Sequence, residues 1–418
     1  MKKCSFCNCV ETEDNKILSG KNGNICKNCA IGAHKIFDTS KVDELLEDEL
    51  EELEIPEFYP NEIKAELDQH VIGQENAKKV LSVAVSNHYR KLKYRDKIEN
   101  NIELDKSNVL FIGPTGTGKT LLAQRLSKML DVPLAISDAT SLTQAGYVGD
   151  DVENVLVQLY NAADKNIEKA QKGIIFIDEI DKIAKRSSGS SVTRDVAGEG
   201  VQQALLKIIE GADVSIPVEG GRKSSQKEQV VINTNDILFI CGGSFAGIEE
   251  IIKERLNEGK GTIGFNSKPL EEENIDNILE KVENEDLIKF GLIPEFIGRL
   301  HVHAVLKHLT KEDMIRILTE PKNSIVNQYK AIFKLSNIDF KIEDKALETI
   351  AEYTIQRKTG ARGLRSLFEN MTLDIMFNLK QYEGKEFVIT SDFVKENLNL
   401  NQKEISSNSD KTETKLQA

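Results

Sequence analysis

The sequence predicts an α/β protein: a parallel five-stranded sheet covered by helices, a smaller and mainly helical lobe after it, and a cysteine-rich module in front. Three observations lead there. Between about Asn61 and Leu306, short apolar runs alternate with long amphipathic patterns, the arrangement of a parallel sheet whose crossovers are helices. After Thr310 the patterning becomes helical, in "LTKEDMIRILTE", "DKALETIAEYTIQRK" and "GLRSLFENMTLDIMFNL". The first residues hold two close cysteine pairs and few apolar side chains, too little to fold on a core alone.

Taken in order, residues 1–37 are expected to be the cysteine module. Residues 38–60 form an acidic linker, in which Val42, Leu45, Leu46 and Leu53 keep a rough helical spacing within a charge run that otherwise reads as solvated tether. Residues 61–308 are the sheet domain, with strands expected at "NVLFIG", "PLAIS", "GIIFID", "DILFICGG" and "HVHAVL". Each is brief and nearly continuous in apolar residues, as strands buried on both faces require. Residues 309–400 are the smaller lobe, with short strands allowed at "IDFKI" and "EFVIT", and residues 401–418 are a polar tail without apolar periodicity, expected to be disordered. No internal repeat is present.

Composition excludes several function classes. A chain of 418 residues suits two or three domains of about 100 to 200 residues each. Its formal charge of -13, from 68 acidic and 55 basic residues, argues against a general nucleic-acid or anionic-membrane surface. No apolar run approaches the roughly 18 residues of a membrane span, and no basic n-region with an apolar stretch opens the chain. Four of the six cysteines fall in close pairs, which favours a metal site in a reducing compartment over disulfides, and the cytoplasm is the expected location.

"GPTGTGKT" matches the phosphate-binding loop and lies between the expected strand "NVLFI" and the helical pattern "LLAQRLSKML". The loop comprises Gly113, Pro114, Thr115, Gly116, Thr117, Gly118, Lys119 and Thr120, with Leu121 opening the helix. Its glycines let backbone N–H groups close around phosphates, Lys119 brings a point charge to the outer ones, and Thr120 can offer its hydroxyl to magnesium. "GIIFIDEID" supplies the complementary half, because an apolar strand ending in Asp178 and Glu179 brings two carboxylates to the edge where such sheets bind ligands. Asp178 is then expected in the magnesium shell, and Glu179 as the base that orients and deprotonates the attacking water. An acidic pair at a strand end would serve equally as a helix cap or solvated turn if it stood alone. Paired with the loop, it indicates ATP hydrolysis.

Cys4, Cys7, Cys26 and Cys29 form two C-x2-C pairs separated by eighteen residues, a spacing suited to tetrahedral zinc held by four thiolates. With every position taken by protein, such a metal is structural. Cys9 stands outside the symmetric pairs and could compete for the metal, Cys241 reads as strand core, and His34 reads as a surface or packing residue. "TQAGYVGDD" places Tyr147 between two glycines in a polar loop, ahead of the helical pattern "DVENVLVQLYNAADK", whose N-terminus Asp150 and Glu153 can cap. An aromatic ring in such a loop needs a partner beyond the loop.

The phosphate loop, "FIDEID", "AGYVG", "TRDVAGEGVQQALLKIIEG", "IPEFIGRL" and "KTGARGLRS", in that chain order behind a four-cysteine module, resemble the ClpX family of AAA+ ATPases, the unfoldase subunits of Clp proteases. The related HslU-type unfoldases share the ATPase core but lack such a zinc module. The resemblance runs from Cys4 to about residue 395 and implies an AAA+ P-loop ATPase core that uses ATP, Mg2+ and Zn2+.

Position by position, the resemblance implies that Val71 and Ile72 in "VIGQ" pack on adenine. It implies that Arg299 is an arginine finger acting in a neighbouring subunit and that Arg362 is the second-sensor arginine, so that a homo-hexameric ring is expected. Tyr147 and Val148 match the pore loop that grips translocating polypeptide, and Arg222 with Lys223 matches a basic loop at the pore entrance, where Ser224 replaces the family's histidine. Ile263, Gly264 and Phe265 match the loop that docks on the ClpP peptidase. Ser244 stands where many AAA+ proteins carry a first-sensor asparagine, and the sequence assigns it no role.

The expected function is therefore an ATP-dependent unfoldase that takes tagged or adaptor-delivered proteins through a hexameric pore to ClpP, in a bacterial cytoplasm. No peptidase constellation stands out among the six histidines. The alternatives are an AAA+ motor acting on DNA, of clamp-loader or helicase type, and a remodelling chaperone that works without a peptidase. The acidic balance and the absence of a basic, aromatic-interleaved stretch in residues 1–37 stand against the first.

Overall fold

A computed structural model describes residues 3–7, 9, 10, 12, 15–20, 23–30, 57–97, 102, 104–143, 150–185, 198–218, 228–258 and 275–398. The chain divides into two compact units, residues 1–56 and 57–418. In the first, Ile17–Ser19 pairs antiparallel with Asn24–Cys26, and the buried side chains are only Cys4, Ile17 and Cys26 among the described residues.

The second unit opens with α1 (Pro60–Asp68) and α2 (Glu75–Lys93). Its packing takes in Glu57 and Phe58, since Tyr94 donates to the Glu57 carboxylate and Ser86 donates to the Phe58 carbonyl. The sheet strands follow in chain order as β1 (Val109–Ile112), β2 (Leu134–Asp138), β3 (Ile174–Asp178), β4 (Leu238–Gly243) and β5 (Val302–Val305). In space the order is β5-β1-β4-β3-β2, and every pairing is parallel. All four β1 residues are fully buried, which explains why this strand reads as an unbroken apolar run: helices cover both of its faces. Each of the five expected strands forms.

Parallel pairing brings the carboxyl ends of β1, β4 and β3 side by side. The Gly113 N–H donates to the Gly243 carbonyl and the Leu306 N–H donates to Ile112, so the sheet holds the phosphate loop at its first residue. At Gly113 a Cβ would lie 2.4 Å from the Leu306 carbonyl oxygen, so only glycine lets the chain leave β1 here. Helix α3 (Lys119–Leu130) buries Leu122, Ala123, Leu126 and Leu130, the one-face spacing of its pattern. Helix α4 (Asn154–Ala162) corrects one expectation: Glu153 occupies the N-cap position but its side chain makes no capping bond, and Asp150 pairs in a two-residue strand with Leu142–Thr143. The helix starts later than its pattern, because Val152 is drawn into the core before the first turn.

Helix α5 (Glu199–Glu210) is followed by an antiparallel hairpin, Asp213–Val218 with Glu228–Asn233, that the strand patterns did not include. The short α6 (Pro294–Arg299) precedes β5. A separate apolar cluster then gathers α7 (Lys311–Thr319), α8 (Ile325–Leu335), α9 (Asp344–Gln356) and α10 (Ala361–Phe377). Asp339–Ile342 and Glu386–Ile389, the two short strands allowed by the sequence, pair in parallel, and Phe333 stacks on Phe340 with centroids 5.1 Å apart. Thr310 and Asp313 close a reciprocal capping box at the start of α7. Among the described residues, no helix is long and apolar enough to cross a membrane.

His88 on α2 is buried within this frame, its Nε2 bonded to the Asp236 carbonyl at 3.0 Å. Burial pushes its pKa down to about 4, so the fold holds the neutral ring. Because the folded value lies below the unfolded one, this contribution is complete above about pH 6.5 and is lost as pH falls towards 4, a penalty on the order of 3 kcal/mol. His88→Gln, which keeps a donor for the carbonyl, is expected to lose less of its thermal midpoint than the parent between pH 7 and 4.5. Parallel acid profiles would show that other groups set the acid limit.

Candidate active site and metal centre

Three local decisions build the main site. The phosphate loop leaves β1, turns through Gly116 (φ 79°) and Gly118 (φ 104°), and enters α3 at Lys119. Strand β3 ends on Asp178, which accepts the Thr120 hydroxyl at 3.0 Å. Two hard oxygen donors thus meet at the mouth of a phosphate loop, the donor set that suits Mg2+ beside phosphates. The next residue, Glu179, adopts φ 56°, a left-handed conformation that costs a non-glycine residue on the order of 1–2 kcal/mol. That strain directs the Glu179 side chain into the cavity while its N–H donates to Asp178.

The cavity is about 720 Å³ and is lined by Thr115, Gly116, Gly118, Lys119, Thr120 and Leu121 from the loop and α3. Asp178 and Glu179 enter from β3, and Arg362 enters from α10. Gly113 and Pro114 lie behind it, and their carbonyls accept the Lys119 ammonium at 2.6 and 2.9 Å. Thr117 is buried and donates to Pro114. Burial lowers the Lys119 pKa, opposed by the charges of Asp178, Asp181 and Glu179. The ammonium is therefore satisfied by its own loop, and a phosphate has to draw it outward. Val71 and Ile72, between α1 and α2, are buried, and Val71 packs 3.7 Å from the Cβ position of Gly118.

The wall opposite the loop is the start of α10. The Ala361 N–H donates to the Gly116 carbonyl at 3.1 Å. A Cβ on Gly360 would lie 2.7 Å from the Thr115 oxygen and 2.8 Å from the Gly116 Cα. Gly360→Ala is accordingly expected to push α10 and Arg362 off the loop and weaken ATP binding about tenfold, or ~1.4 kcal/mol, in a nucleotide titration. Parental affinity would mean that this contact does not shape the pocket.

Sequence reasoning missed several lining residues: Asp181, Ser244, Ile325, Ala361 and Arg365. Asp181 is legible as the third acid of "DEID", but nothing in the sequence joins it to Ser244. The Ser244 N–H and hydroxyl donate to its two carboxylate oxygens at 3.1 and 3.0 Å.

Arg299 does not share this pocket. It lines a separate cavity of about 500 Å³ and pairs with Glu210 at 2.9 Å. The pair is half exposed, so it contributes on the order of 1 kcal/mol or less. Tyr147, Val148, Arg222, Lys223, Ile263, Gly264 and Phe265 lie outside the described residues.

In the N-terminal unit, the sulfurs of Cys4, Cys7, Cys26 and Cys29 all lie within 4.8 Å of one another. Zn–S bonds of about 2.3 Å place tetrahedral sulfurs roughly 3.8 Å apart, and the Cys7–Cys26 separation is 3.6 Å. The Cys26 N–H donates to the Cys4 sulfur and the Cys29 N–H donates to the Cys26 sulfur, bonds that stabilise thiolates. The residues therefore fit zinc. Cys9 lies beside this set, 3.7 Å from the Cys26 sulfur, and accepts from the Asn15 amide.

The sheet order, the loop and the acidic strand end define an ATPase of the AAA class. Residues 104–303 match the family model "AAA domain (Cdc48 subfamily)", residues 309–380 match the "C-terminal, D2-small domain, of ClpB protein", and residues 2–39 match the "ClpX C4-type zinc finger". The chain is 50% identical over 395 residues to the ATP-dependent Clp protease ATP-binding subunit ClpX of Borrelia duttonii, covering 94% of this chain and 90% of the relative, with the same figures for Borrelia recurrentis. It is 46% identical over 414 residues to that of Treponema denticola, covering 99% and 96%. The chain belongs to the ClpX family, and its four-cysteine cluster is that family's zinc finger.

Because the module buries so little else, chelating zinc from the full chain is expected to collapse the dispersed NMR signals of its N-terminal residues while signals of residues 57–418 persist. An unchanged N-terminal spectrum after metal removal would refute the site.

Proposed function

We propose that the protein is an ATP-driven unfoldase. It recognises tagged or adaptor-delivered proteins, draws them through the pore of a homo-hexameric ring and feeds them to a ClpP-type peptidase in the bacterial cytoplasm. The observation that carries this reading is the nucleotide pocket, whose walls come from two separately packed apolar clusters that touch through Gly116, Gly360 and Ala361. A change in phosphate number at such a junction alters how the two bodies fit, and in a ring this displacement becomes work on a bound chain.

In this reading Lys119 and the loop N–H groups hold the phosphates of ATP, and Thr120 with Asp178 holds Mg2+, which neutralises charge on the outer phosphates. Glu179 orients and deprotonates the attacking water, Arg362 reads the γ-phosphate, and Val71 and Ile72 pack on adenine. Arg299 serves the neighbouring subunit; its place in a cavity apart from its own protomer's pocket supports a role in trans. Tyr147 and Val148 grip the moving polypeptide, Arg222 and Lys223 select substrate termini, and Ile263, Gly264 and Phe265 dock the peptidase. Peptide hydrolysis belongs to that partner.

Unfolding is the step that needs the motor, because folded domains are stable by about 5–15 kcal/mol and a pore admits only an extended chain. The test is degradation of a stably folded, tagged protein by this chain with a ClpP-type peptidase and ATP. Parental protein is expected to degrade it, whereas Glu179→Gln is expected to bind ATP yet lose hydrolysis by about 100-fold or more, and degradation with it. Degradation that proceeds without ATP, or a Glu179→Gln protein with near-parental turnover, would overturn the reading.

A further inference from the structure

Just before β1 lies "KSN", residues 106–108, a polar triplet that no step above uses. Asn108 is almost fully buried, and both ends of its amide are engaged. Its Nδ2 donates to the backbone carbonyl of Arg299 at 3.2 Å, and its Oδ1 accepts the Phe239 N–H of β4 at 3.2 Å. The main chain that carries Arg299 is thereby tied to the middle of the sheet.

Lys106 acts one step further out. Its ammonium donates to the Ile209 carbonyl at 2.9 Å and to the Thr234 carbonyl at 2.7 Å, and it lies 5.4 Å from the centroid of the Phe239 ring. Ile209 is in the last turn of α5, where carbonyls have no partner within the helix and a cation is favoured. Thr234 covers the neighbouring Ile208 carbonyl with its hydroxyl at 2.8 Å. Together these contacts fix the end of α5, and the next residue is Glu210. Its carboxylate oxygen Oε1 accepts from Nε and Nη2 of Arg299 at 3.0 and 2.9 Å. Lys106, Asn108, Ile209, Glu210 and Arg299 border one cavity of about 500 Å³, distinct from the nucleotide pocket of the same protomer.

We propose that Lys106, Asn108 and Glu210 are positioning residues for Arg299, a bracket that aims its guanidinium at the nucleotide of a neighbouring copy. The proposal rests on the reading of Arg299 as a finger acting in trans. A long, exposed arginine samples many rotamers, and a finger that must meet phosphate on each turnover gains from having its backbone and its head group oriented beforehand. The contacts divide that task. Asn108 sets the carbonyl, Lys106 sets the helix end, and Glu210 holds the guanidinium by a pair exposed enough to be exchanged for phosphate. Strand β1 ties the bracket to the protomer's own pocket, since it begins at Val109, beside Asn108, and ends where the phosphate loop starts.

The experiment uses full-length chains assembled with ATP. Glu210→Ala rings are expected to hydrolyse ATP at least about fivefold more slowly than the parent with ATP affinity within about twofold, and Glu210→Gln, which keeps an acceptor oxygen, is expected to recover part of the rate. Glu210→Ala and Arg299→Ala subunits are each then mixed in equal amounts with Glu179→Gln subunits, which contribute an intact Arg299 but no hydrolysis of their own. Roughly half of the Glu210→Ala sites then face an intact finger, so the rate per Glu210→Ala subunit is expected to rise above that of the unmixed ring. A subunit that had merely lost its fold would gain nothing from mixing. If Arg299→Ala gains on mixing while Glu210→Ala runs at the parental rate alone, or is slow and gains nothing, the bracket is overturned and the finger stands. If Arg299→Ala itself gains nothing, the finger reading falls and the bracket falls with it.

Discussion

The nucleotide pocket depends on one contact, the meeting of two glycines. Gly116 in the phosphate loop and Gly360 before α10 both adopt left-handed backbone conformations, with φ of 79° and 59°, and neither has room for a Cβ against the other. Each glycine costs conformational entropy, about 0.5–1 kcal/mol relative to alanine in an ordinary element. In return, the N-terminus of α10 comes close enough for the Ala361 N–H to bond the Gly116 carbonyl, and Arg362 reaches the same cavity as Lys119. Without that approach the phosphate loop would face open solvent on one side. With it, two bodies with separate apolar clusters share a ligand pocket, and what binds there bears on how they fit together.

The sheet supplies the other half of the geometry. Parallel strands end on one edge, so Gly113, Asp178 and Gly243 come to the same crevice although they lie far apart in the chain. The polar groups there are satisfied by one another: Lys119 by loop carbonyls, Thr120 by Asp178, and Ser244 by Asp181. Each of these bonds can be exchanged for one to a phosphate or a metal ion. Glu179 departs from that economy, because its left-handed backbone is strain kept at the position where a base is proposed to act.

The N-terminal unit rests on a different principle. Its apolar burial amounts to one isoleucine and two cysteines among the described residues, far too little to offset the ordering of the chain. Four sulfurs within bonding reach of a common centre supply what the core lacks. Metal binding is then the folding energy of the module, whereas in the larger unit the ligands act on a fold that apolar burial already secures.

Much of this was legible in the sequence, for identifiable reasons. Strands buried on both faces leave unbroken apolar runs, which is why all five core strands were placed and why the phosphate loop and the acidic end of β3 could be assigned to one edge. The cysteine spacing likewise carried the metal site. The hairpin after α5 is not among the expected strands: Asp213–Val218 does alternate polar and apolar residues, but Pro217 falls within it and Glu228–Asn233 sets three apolar residues in a row. At the start of α4 the expectation fails at Glu153, which stands at the N-cap without a side-chain capping bond, while its neighbour Val152 is buried in the core. By itself, then, the sequence determined the phosphate-loop, acidic-strand and cysteine motifs and the secondary structure that holds them, since both follow from local composition and spacing. Only the tertiary structure decided that Gly360 stands against Gly116, that Ser244 is bound to Asp181, and that Asn108, Lys106 and Glu210 converge on Arg299. These are contacts between segments tens to hundreds of residues apart, and their partners are selected by the packing of helices on the sheet, which leaves no periodic mark in the chain.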